Sequence, residues 1–224
     1  MLVTAAAGLC GLLGLAGGTV AADASRTCGA RGRSYAVVED ERVSRGITAT
    51  LISVVQPQIG DGLVAAWVGV GGPGQARHGQ DAWIQVGLSV FTGGITGLYF
   101  EIKRPSMDPE YTEIQRDVAV DTRFRIGVRE DAARPGWWRV WVNGTPVSAA
   151  VDLPGSSGRW RPTATAETWR DEPNECYRFA FRFERVAIAT SRTRWTPLVP
   201  GERYRDPGYR LRFITRSTFL VSSP

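Results

Sequence analysis

Apolar and polar side chains alternate along most of this chain, in short segments separated by Gly, Pro, Asn and Asp. A period of two residues is typical of β-strands, because successive side chains of a strand point to opposite faces of the sheet. The segments with this pattern are residues 35–39, 47–54, 64–70, 82–90, 97–103, 123–129, 137–142, 147–153, 163–169, 178–188 and 209–215. No helical period persists after the first 24 residues. We therefore expect an all-β protein, folded as a two-sheet antiparallel β-sandwich.

The connections between these segments carry their own signals. The run Trp137–Val142 is followed by Asn143-Gly144 and a second β-rich run. Asn-Gly readily adopts the positive φ angles of a tight hairpin turn, so we predict a hairpin here. Residues 71–79 and 153–162 are rich in Gly, Ser and Pro, which predicts two surface loops.

Sorting the strands by their period of two assigns each side chain to the core or to the opposite face of its sheet. Core positions in four strands are Ala66, Val68, Val70, Ile84, Val86, Leu88, Val90, Leu98, Phe100, Ile102, Ala164 and Ala166. The opposite, exposed face receives Ala65, Trp67, Trp83, Gln85, Ser89, Tyr99, Glu101, Lys103, Thr163, Thr165, Glu167 and Trp169. Large rings in water cost about 25 cal/mol per Å², so such a face is typical of a binding site. The alternative is that the C-terminal tail or a loop covers the rings.

The N-terminal 24 residues are almost uncharged and end in Ala22-Asp23-Ala24, after an apolar run over residues 5–20. This pattern is typical of a secretion signal with an A-x-A cleavage site, although no Lys or Arg precedes the apolar run. An N-terminal membrane anchor is the alternative. We expect a secreted, extracellular protein with a β-sandwich domain over residues 25–196. Residues 197–224 would be an extension of the same domain, either an edge strand or a wrapping tail.

Three cysteines are present, and Cys10 lies inside the predicted signal. Cleavage would leave Cys28 and Cys176, which we expect to form a disulfide in an oxidising compartment. The net charge is +5, and Lys103 is the only lysine. The arginines lie at alternating strand positions, which favours solvated sheet faces over a nucleic-acid stripe.

Few kinds of catalytic site fit these residues. His78 is the only histidine and lies in a Gly-rich loop, which disfavours Ser-His-Asp or Cys-His chemistry. No zinc spacing, calcium loop or phosphate-binding loop occurs, so we expect neither a metal nor a cofactor. The remaining candidates are carboxylate and amide chemistry.

Four segments resemble the glutamic peptidase (eqolisin) family in their order and approximate spacing, over roughly residues 47–190. They are Ala66-Trp67-Val68-Gly69-Val70-Gly71-Gly72, Trp83-Ile84-Gln85-Val86-Gly87, Tyr99-Phe100-Glu101-Ile102-Lys103-Arg104-Pro105 and Ala166-Glu167. The resemblance implies a concanavalin-like, jelly-roll type β-sandwich whose curved sheet carries a catalytic glutamine and glutamate. By position these are Gln85 and Glu167, and Trp67, Trp83, Tyr99 and Glu101 would contact the substrate.

The chain also departs from the family pattern. Gly71 stands where the family has an acidic residue, and the aromatic motif around Glu101 is reduced. In Ala166-Glu167-Thr168-Trp169 the tryptophan is shifted by one residue, onto the opposite face. This chain is also basic and rich in arginine, which disfavours activity at low pH.

Three functions are compatible with these observations. The first is a secreted glutamic endopeptidase that uses Gln85 and Glu167 on a polypeptide, and the second is a non-catalytic module that binds carbohydrate or peptide on the same face. The third is a glycoside hydrolase with Glu101 and Glu167 as its carboxylate pair. In each case we expect a monomer that contacts no nucleic acid, and no membrane once the signal is removed.

Overall fold

The computed structural model describes residues 31–170 and 176–224, which form sixteen strands and one short 3-10 turn, Arg77–Gly79. In chain order the strands are β1 Gly32–Glu39, β2 Gly46–Ser53, β3 Leu63–Gly72, β4 Ala82–Phe91, β5 Thr96–Lys103, β6 Glu110–Gln115, β7 Phe124–Glu130, β8 Trp137–Val142, β9 Thr145–Pro146, β10 Val151–Asp152, β11 Pro162–Arg170, β12 Ala180–Ala189, β13 Trp195–Pro197, β14 Glu202–Arg205, β15 Arg210–Thr215 and β16 Thr218–Ser222.

These strands form two sheets in which neighbouring strands are antiparallel. The first sheet has seven strands in the order β14-β1-β11-β3-β4-β5-β6. The second has nine, in the order β10-β8-β7-β2-β12-β16-β15, with β9 paired to β8 and β13 paired to β12. The expected all-β, two-sheet antiparallel sandwich is confirmed.

The hydrophobic core lies between the two sheets and follows the alternation seen in the sequence. Ile84, Val86, Leu88 and Val90 of β4 are fully buried. The second sheet contributes aromatic residues to the same core. They include Phe183 and Phe219, whose rings stack with centroids 4.9 Å apart. Apolar burial of this extent is the main source of stability for a sandwich of this size.

The predicted hairpin forms at Asn143-Gly144. Both residues have positive φ, 50° and 86°, and Val142 of β8 pairs with Thr145 of β9. The predicted strand over residues 147–153 is wrong as a continuous element. The Val147 N–H donates to the Val140 carbonyl, but the Val140 N–H donates to the Ser148 hydroxyl at 2.9 Å, so a side chain replaces the backbone partner there. Regular strand pairing with β8 resumes only at Val151–Asp152.

Some strands carry no sequence signal. β6 (EYTEIQ) and β14 (ERYR) are polar and mostly exposed, because both are edge strands of the first sheet. Their side chains do not alternate between core and solvent, so the period of two is absent. They pair through the backbone, β6 with β5 and β14 with β1.

The segment 197–224 supplies strands to both sheets. β14 is the outer strand of the first sheet, while β16 lies between β12 and β15 in the second. Phe219 of β16 is fully buried. Packing of this segment therefore contributes to the same core as the preceding strands.

Two expectations fall on residues outside the described ranges. The predicted secretion signal covers residues 1–24, and Cys28 lies just after it. The pairing of Cys28 with Cys176 therefore stays a prediction.

Replacing Phe219 with Ala tests whether the C-terminal segment is part of the core. Loss of a fully buried ring that stacks on Phe183 should cost about 3–5 kcal/mol in free energy of unfolding. Ile214→Ala, at an exposed position of neighbouring β15, should cost less than about 0.5 kcal/mol. Chemical denaturation measures both values, and similar small losses in the two variants would contradict the placement of β16.

Candidate functional site

A groove with a volume of about 450 Å³ lies on the outer face of the first sheet. Its walls come from β1, β3, β4, β5 and β11, together with the loop that follows β3. Five of the six residues predicted for the site line it: Trp67, Trp83, Gln85, Glu101 and Glu167. The sheet thus collects side chains that are up to 100 residues apart in sequence.

The strand register fixes the positions of the two predicted catalytic residues. Glu167 on β11 lies opposite Ala65 of β3, and Gln85 on β4 lies opposite Gly69 of β3. Gly69 and Ala65 are four residues apart, with Trp67 midway between them. Glu167 and Gln85 therefore face the groove diagonally across β3, one on each side of Trp67.

Two glycines leave the space that these side chains occupy. A β-carbon on Gly69 would lie 2.9 Å from the Cβ of Gln85, and one on Gly87 would lie 2.6 Å from the Cβ of Trp67. Each distance is shorter than real β-carbon contacts allow. A larger residue at either position would displace the site residue opposite, so the glycines are steric requirements of this face.

The Glu167 carboxyl has a pKa of about 7, well above the ordinary value of 4.5. Burial is the main cause, because removal from water disfavours the charged form. The nearby Arg33 guanidinium lowers the pKa, the Glu101 carboxylate raises it, and the Trp67 indole N–H lowers it. Glu167 therefore exchanges its proton near neutral pH, as a general acid or base must.

Gln85 is held by an aromatic pair beside the groove. Its Nε2 donates to the Tyr99 hydroxyl at 3.3 Å, and the Tyr99 ring stacks on Tyr111 with centroids 4.9 Å apart. The Tyr111 hydroxyl in turn shares a 2.9 Å hydrogen bond with Ser89. Burial raises the pKa of Tyr99 well above its usual value, so its hydroxyl remains protonated. This arrangement restricts the orientation of the Gln85 amide.

The expectation that Tyr99 is exposed and contacts a ligand is corrected by this geometry. Tyr99 is only 2% exposed and does not line the groove. It was assigned to the correct face, but Tyr111 of β6 covers it, and β6 is one of the strands without a sequence signal. Other residues expected to be exposed on this face are also buried, although some of them line the groove: Ala65, Gln85, Ser89, Thr163 and Thr165.

One buried polar atom on the floor of the groove has no hydrogen-bond partner among the described residues. It is Oγ1 of Thr165 on β11, and the residue directly opposite on β3 is Trp67. The Trp67 indole N–H lies near enough to the Glu167 carboxylate to lower its pKa. Buried polar groups in folded proteins are normally hydrogen-bonded. The unpaired Thr165 hydroxyl, two residues from Glu167, indicates a position where a bound polar group would be stabilised.

One side of the groove is fixed by a hydrogen bond between neighbouring strands. The Trp83 indole N–H donates to the Glu101 carboxylate at 2.7 Å. Glu101 is therefore already engaged by a neighbour, and β3 and β4 separate its strand from that of Glu167. This arrangement does not favour Glu101 and Glu167 as a glycosidase pair.

The backbone at Gly71 leaves no room for a larger side chain. Gly71 has a φ of +84°, which residues with a β-carbon rarely adopt. A β-carbon there would lie 2.4 Å from the Ala82 carbonyl oxygen and 2.9 Å from the Trp160 ring. The buried Trp160 side chain occupies this space, and its indole N–H donates to the Gln75 carbonyl at 3.1 Å.

Arg33 and Tyr35 are groove residues that were not predicted from the sequence. Both line the groove from β1, where they alternate with the buried Ser34 and Ala36. The period of two was present in this strand. What the sequence could not supply is the pairing of Tyr35 with Glu167 across β1 and β11.

Within residues 31–170 and 176–224, no three His, Cys, Asp or Glu side chains cluster in a way that could hold a metal ion. In the same ranges no helix is long and apolar enough to cross a membrane.

Solved structures similar to this fold include two peptidases. Scytalido-glutamic peptidase with a peptide-based transition-state analogue aligns with a TM-score of 0.57 and 15% sequence identity, over 87% of this chain and 98% of that one. SCP-B, a member of the eqolisin family of peptidases in complex with the tripeptide Ala-Ile-His, aligns with a TM-score of 0.51 and 14% identity over the same shares. No protein-family model and no curated protein sequence matches this chain. At this identity the similarity shows a shared fold.

Protonation of Glu167 should make stability depend on pH in a defined direction. Between about pH 4.5 and 7 the folded protein keeps this proton while the unfolded chain releases it, so raising the pH favours unfolding. The free energy of unfolding should fall by about 3 kcal/mol across this interval, at about 1.36 kcal/mol per pH unit. Glu167→Gln should remove that component. Denaturant titrations over this pH range test this, and unchanged pH dependence in the variant would contradict the raised pKa.

The charged neighbours of Glu167 should shift its pKa in opposite directions. Arg33→Gln removes a cation that favours the carboxylate, so the pKa of Glu167 should rise. Glu101→Gln removes an anion that opposes it, so the pKa should fall, while the new amide oxygen can still accept from Trp83. Carbon-detected NMR titration of the glutamate carboxyls measures both shifts. Shifts in the same direction, or no shift in either variant, would contradict these charge effects.

Proposed function

We propose that this protein is a secreted endopeptidase of the glutamic type that acts as a monomer on extended polypeptide. The observation that carries the proposal is the pairing of a half-buried, proton-exchanging Glu167 with an oriented Gln85 across Trp67 in one groove. The sandwich shared with two peptidases, one bound to a peptide-based transition-state analogue and one to a tripeptide, supports it. The N-terminal pattern over residues 1–24 supports secretion.

Each step of peptide hydrolysis has a residue suited to it. In its ionised form Glu167 removes a proton from water as the water attacks the peptide carbonyl. The Gln85 amide N–H then stabilises the negative charge that develops on the carbonyl oxygen. Glu167, now protonated, returns the proton to the leaving amine, and the C–N bond breaks. One carboxyl thus serves as base and then acid.

The supporting residues limit how these groups move. Tyr99 holds one N–H of the Gln85 amide, which leaves its second N–H for the substrate oxygen. The unpaired Thr165 Oγ1 can bind the attacking water or a substrate carbonyl beside Glu167, while the Trp67 indole N–H favours the carboxylate form of Glu167. Trp83, Glu101 and Trp169 form the surrounding walls. The family's acidic residue at the position of Gly71 is absent here, but none of the roles assigned above depends on it.

The test is cleavage of an unfolded protein by the purified mature chain from pH 2.5 to 9. Activity should rise with pH to a plateau with an apparent pKa of about 7, because the base form of Glu167 accumulates as the pH increases. Glu167→Gln and Gln85→Ala should each lower kcat/KM by about 100-fold or more. Fluorogenic peptide assays measure the loss quantitatively.

Matched controls separate catalysis from folding. Glu202→Gln and Gln115→Ala replace exposed residues on the edge strands β14 and β6, and both variants should retain full activity. Thermal unfolding should be measured at one pH for all four variants. If the folded wild type cleaves nothing at any pH, the peptidase proposal is wrong. The binding module on the same groove would then be tested with glycan and peptide arrays.

A further inference from the structure

A second cavity lies on the outer face of the other sheet, away from the groove. It has a volume of about 230 Å³ and lies between Trp141 of β8 and Trp195 of β13, with Arg125 and Arg129 of β7 beside it. We call this region the second-sheet patch. None of these four residues takes part in the proposed peptidase site.

Two glycines on neighbouring strands lie beside the tryptophans of the patch. Gly127 of β7 pairs directly with Trp141, and Gly46 of β2 would place a β-carbon 3.3 Å from Cη2 of Trp195. Thr48 of β2, which pairs with Gly127, also lines the cavity. A glycine and a small polar side chain therefore lie beside the indole rings, which leaves an open recess with aromatic walls.

The patch carries a local excess of positive charge. Five arginines lie on it or on the adjoining β12–β13 turn, and none has an ion pair with another described residue: Arg125, Arg129, Arg139, Arg192 and Arg194. The carboxylate of Glu184 on this face is already paired with Arg123 and Arg182. Arg129 also donates to the Arg192 carbonyl at 3.0 Å, which fixes its position beside the turn.

We propose that the second-sheet patch binds an acidic polysaccharide. Guanidinium groups bind carboxylate or sulfate groups through paired hydrogen bonds, and they do so better than lysine. The apolar C–H faces of a sugar ring pack against indole rings, which combine a large apolar surface with a polar edge. Arg125 and Arg129 are four residues apart on one strand, about 13 Å, so they suit charges repeated along a polymer.

The geometry favours a sugar chain over nucleic acid. Single-stranded nucleic acid binds through aromatic faces exposed widely enough for bases to stack on them. Here Trp141 is half-buried and Trp195 is 36% exposed, so the rings offer walls of a recess in place of open platforms.

The position of the patch has a functional consequence. The outer faces of the two sheets lie on opposite sides of the core, so a bound polysaccharide would leave the groove accessible. Binding there would attach the protein to an acidic matrix while the other face contacts its own ligand. The inference does not depend on the peptidase activity.

Calorimetry of the purified protein with polygalacturonate, heparin, neutral dextran and a single-stranded DNA oligonucleotide tests the proposal. The two acidic glycans should bind and dextran should not. Arg129→Gln and Trp195→Ala should each weaken binding at least about tenfold, since each removes a direct contact. Arg129→Lys should fall between wild type and Arg129→Gln, because it keeps the charge but loses the paired donors.

Controls distinguish the patch from the overall positive charge. Arg212→Gln, exposed on the far edge strand of the same sheet, and Trp169→Ala, exposed in the groove, should leave affinity within about twofold of wild type. If Trp195→Ala does not fold, Arg194→Gln in the exposed turn replaces it. An equal loss in Arg212→Gln, tighter binding to DNA than to either glycan, or no glycan binding would overturn the proposal.

Discussion

Partial burial of the Glu167 carboxyl on a sheet face is the constraint on which the groove depends. A carboxyl in water is ionised at neutral pH and is a weak base, whereas removal from water brings its pKa to about 7. That burial requires walls, and Trp67, Tyr35 and Thr165 supply them from three adjacent strands. Arg33 and Glu101 then adjust the balance between the two protonation states. The acid–base behaviour of the groove thus depends on how closely the neighbouring side chains surround the Glu167 carboxyl.

The same sheet uses glycine to make this surrounding possible. Gly69 and Gly87 remove side chains opposite Gln85 and Trp67, so large polar and aromatic groups fit on a face that would otherwise be crowded. On the second sheet, Gly46 leaves room for the Trp195 ring, and Gly127 is the residue paired with Trp141. Both outer faces therefore have recesses, while the inner faces form one continuous core.

The similarity to the solved peptidases is a similarity of fold. In this chain Trp160 fills the space beside Gly71, so a side chain could not enter there without moving the ring. Tyr99 and Tyr111 provide support for Gln85 through a stacked pair and a hydroxyl. The register of the paired strands decides which of these side chains face each other.

The alternation of apolar and polar residues determined the fold class, the core positions of β4 and β5, and the face on which Gln85 and Glu167 lie. This worked because burial on one side of a strand imposes a period of two, and because Asn143-Gly144 has the φ preference of its turn. Edge strands β6 and β14 and the placement of 197–224 were decided by backbone pairing, which leaves no such pattern. The tertiary structure alone brought Arg33 and Tyr35 beside Glu167 and covered Tyr99 with Tyr111. Pairing between distant strands sets those contacts, and with them the burial that gives Glu167 its pKa.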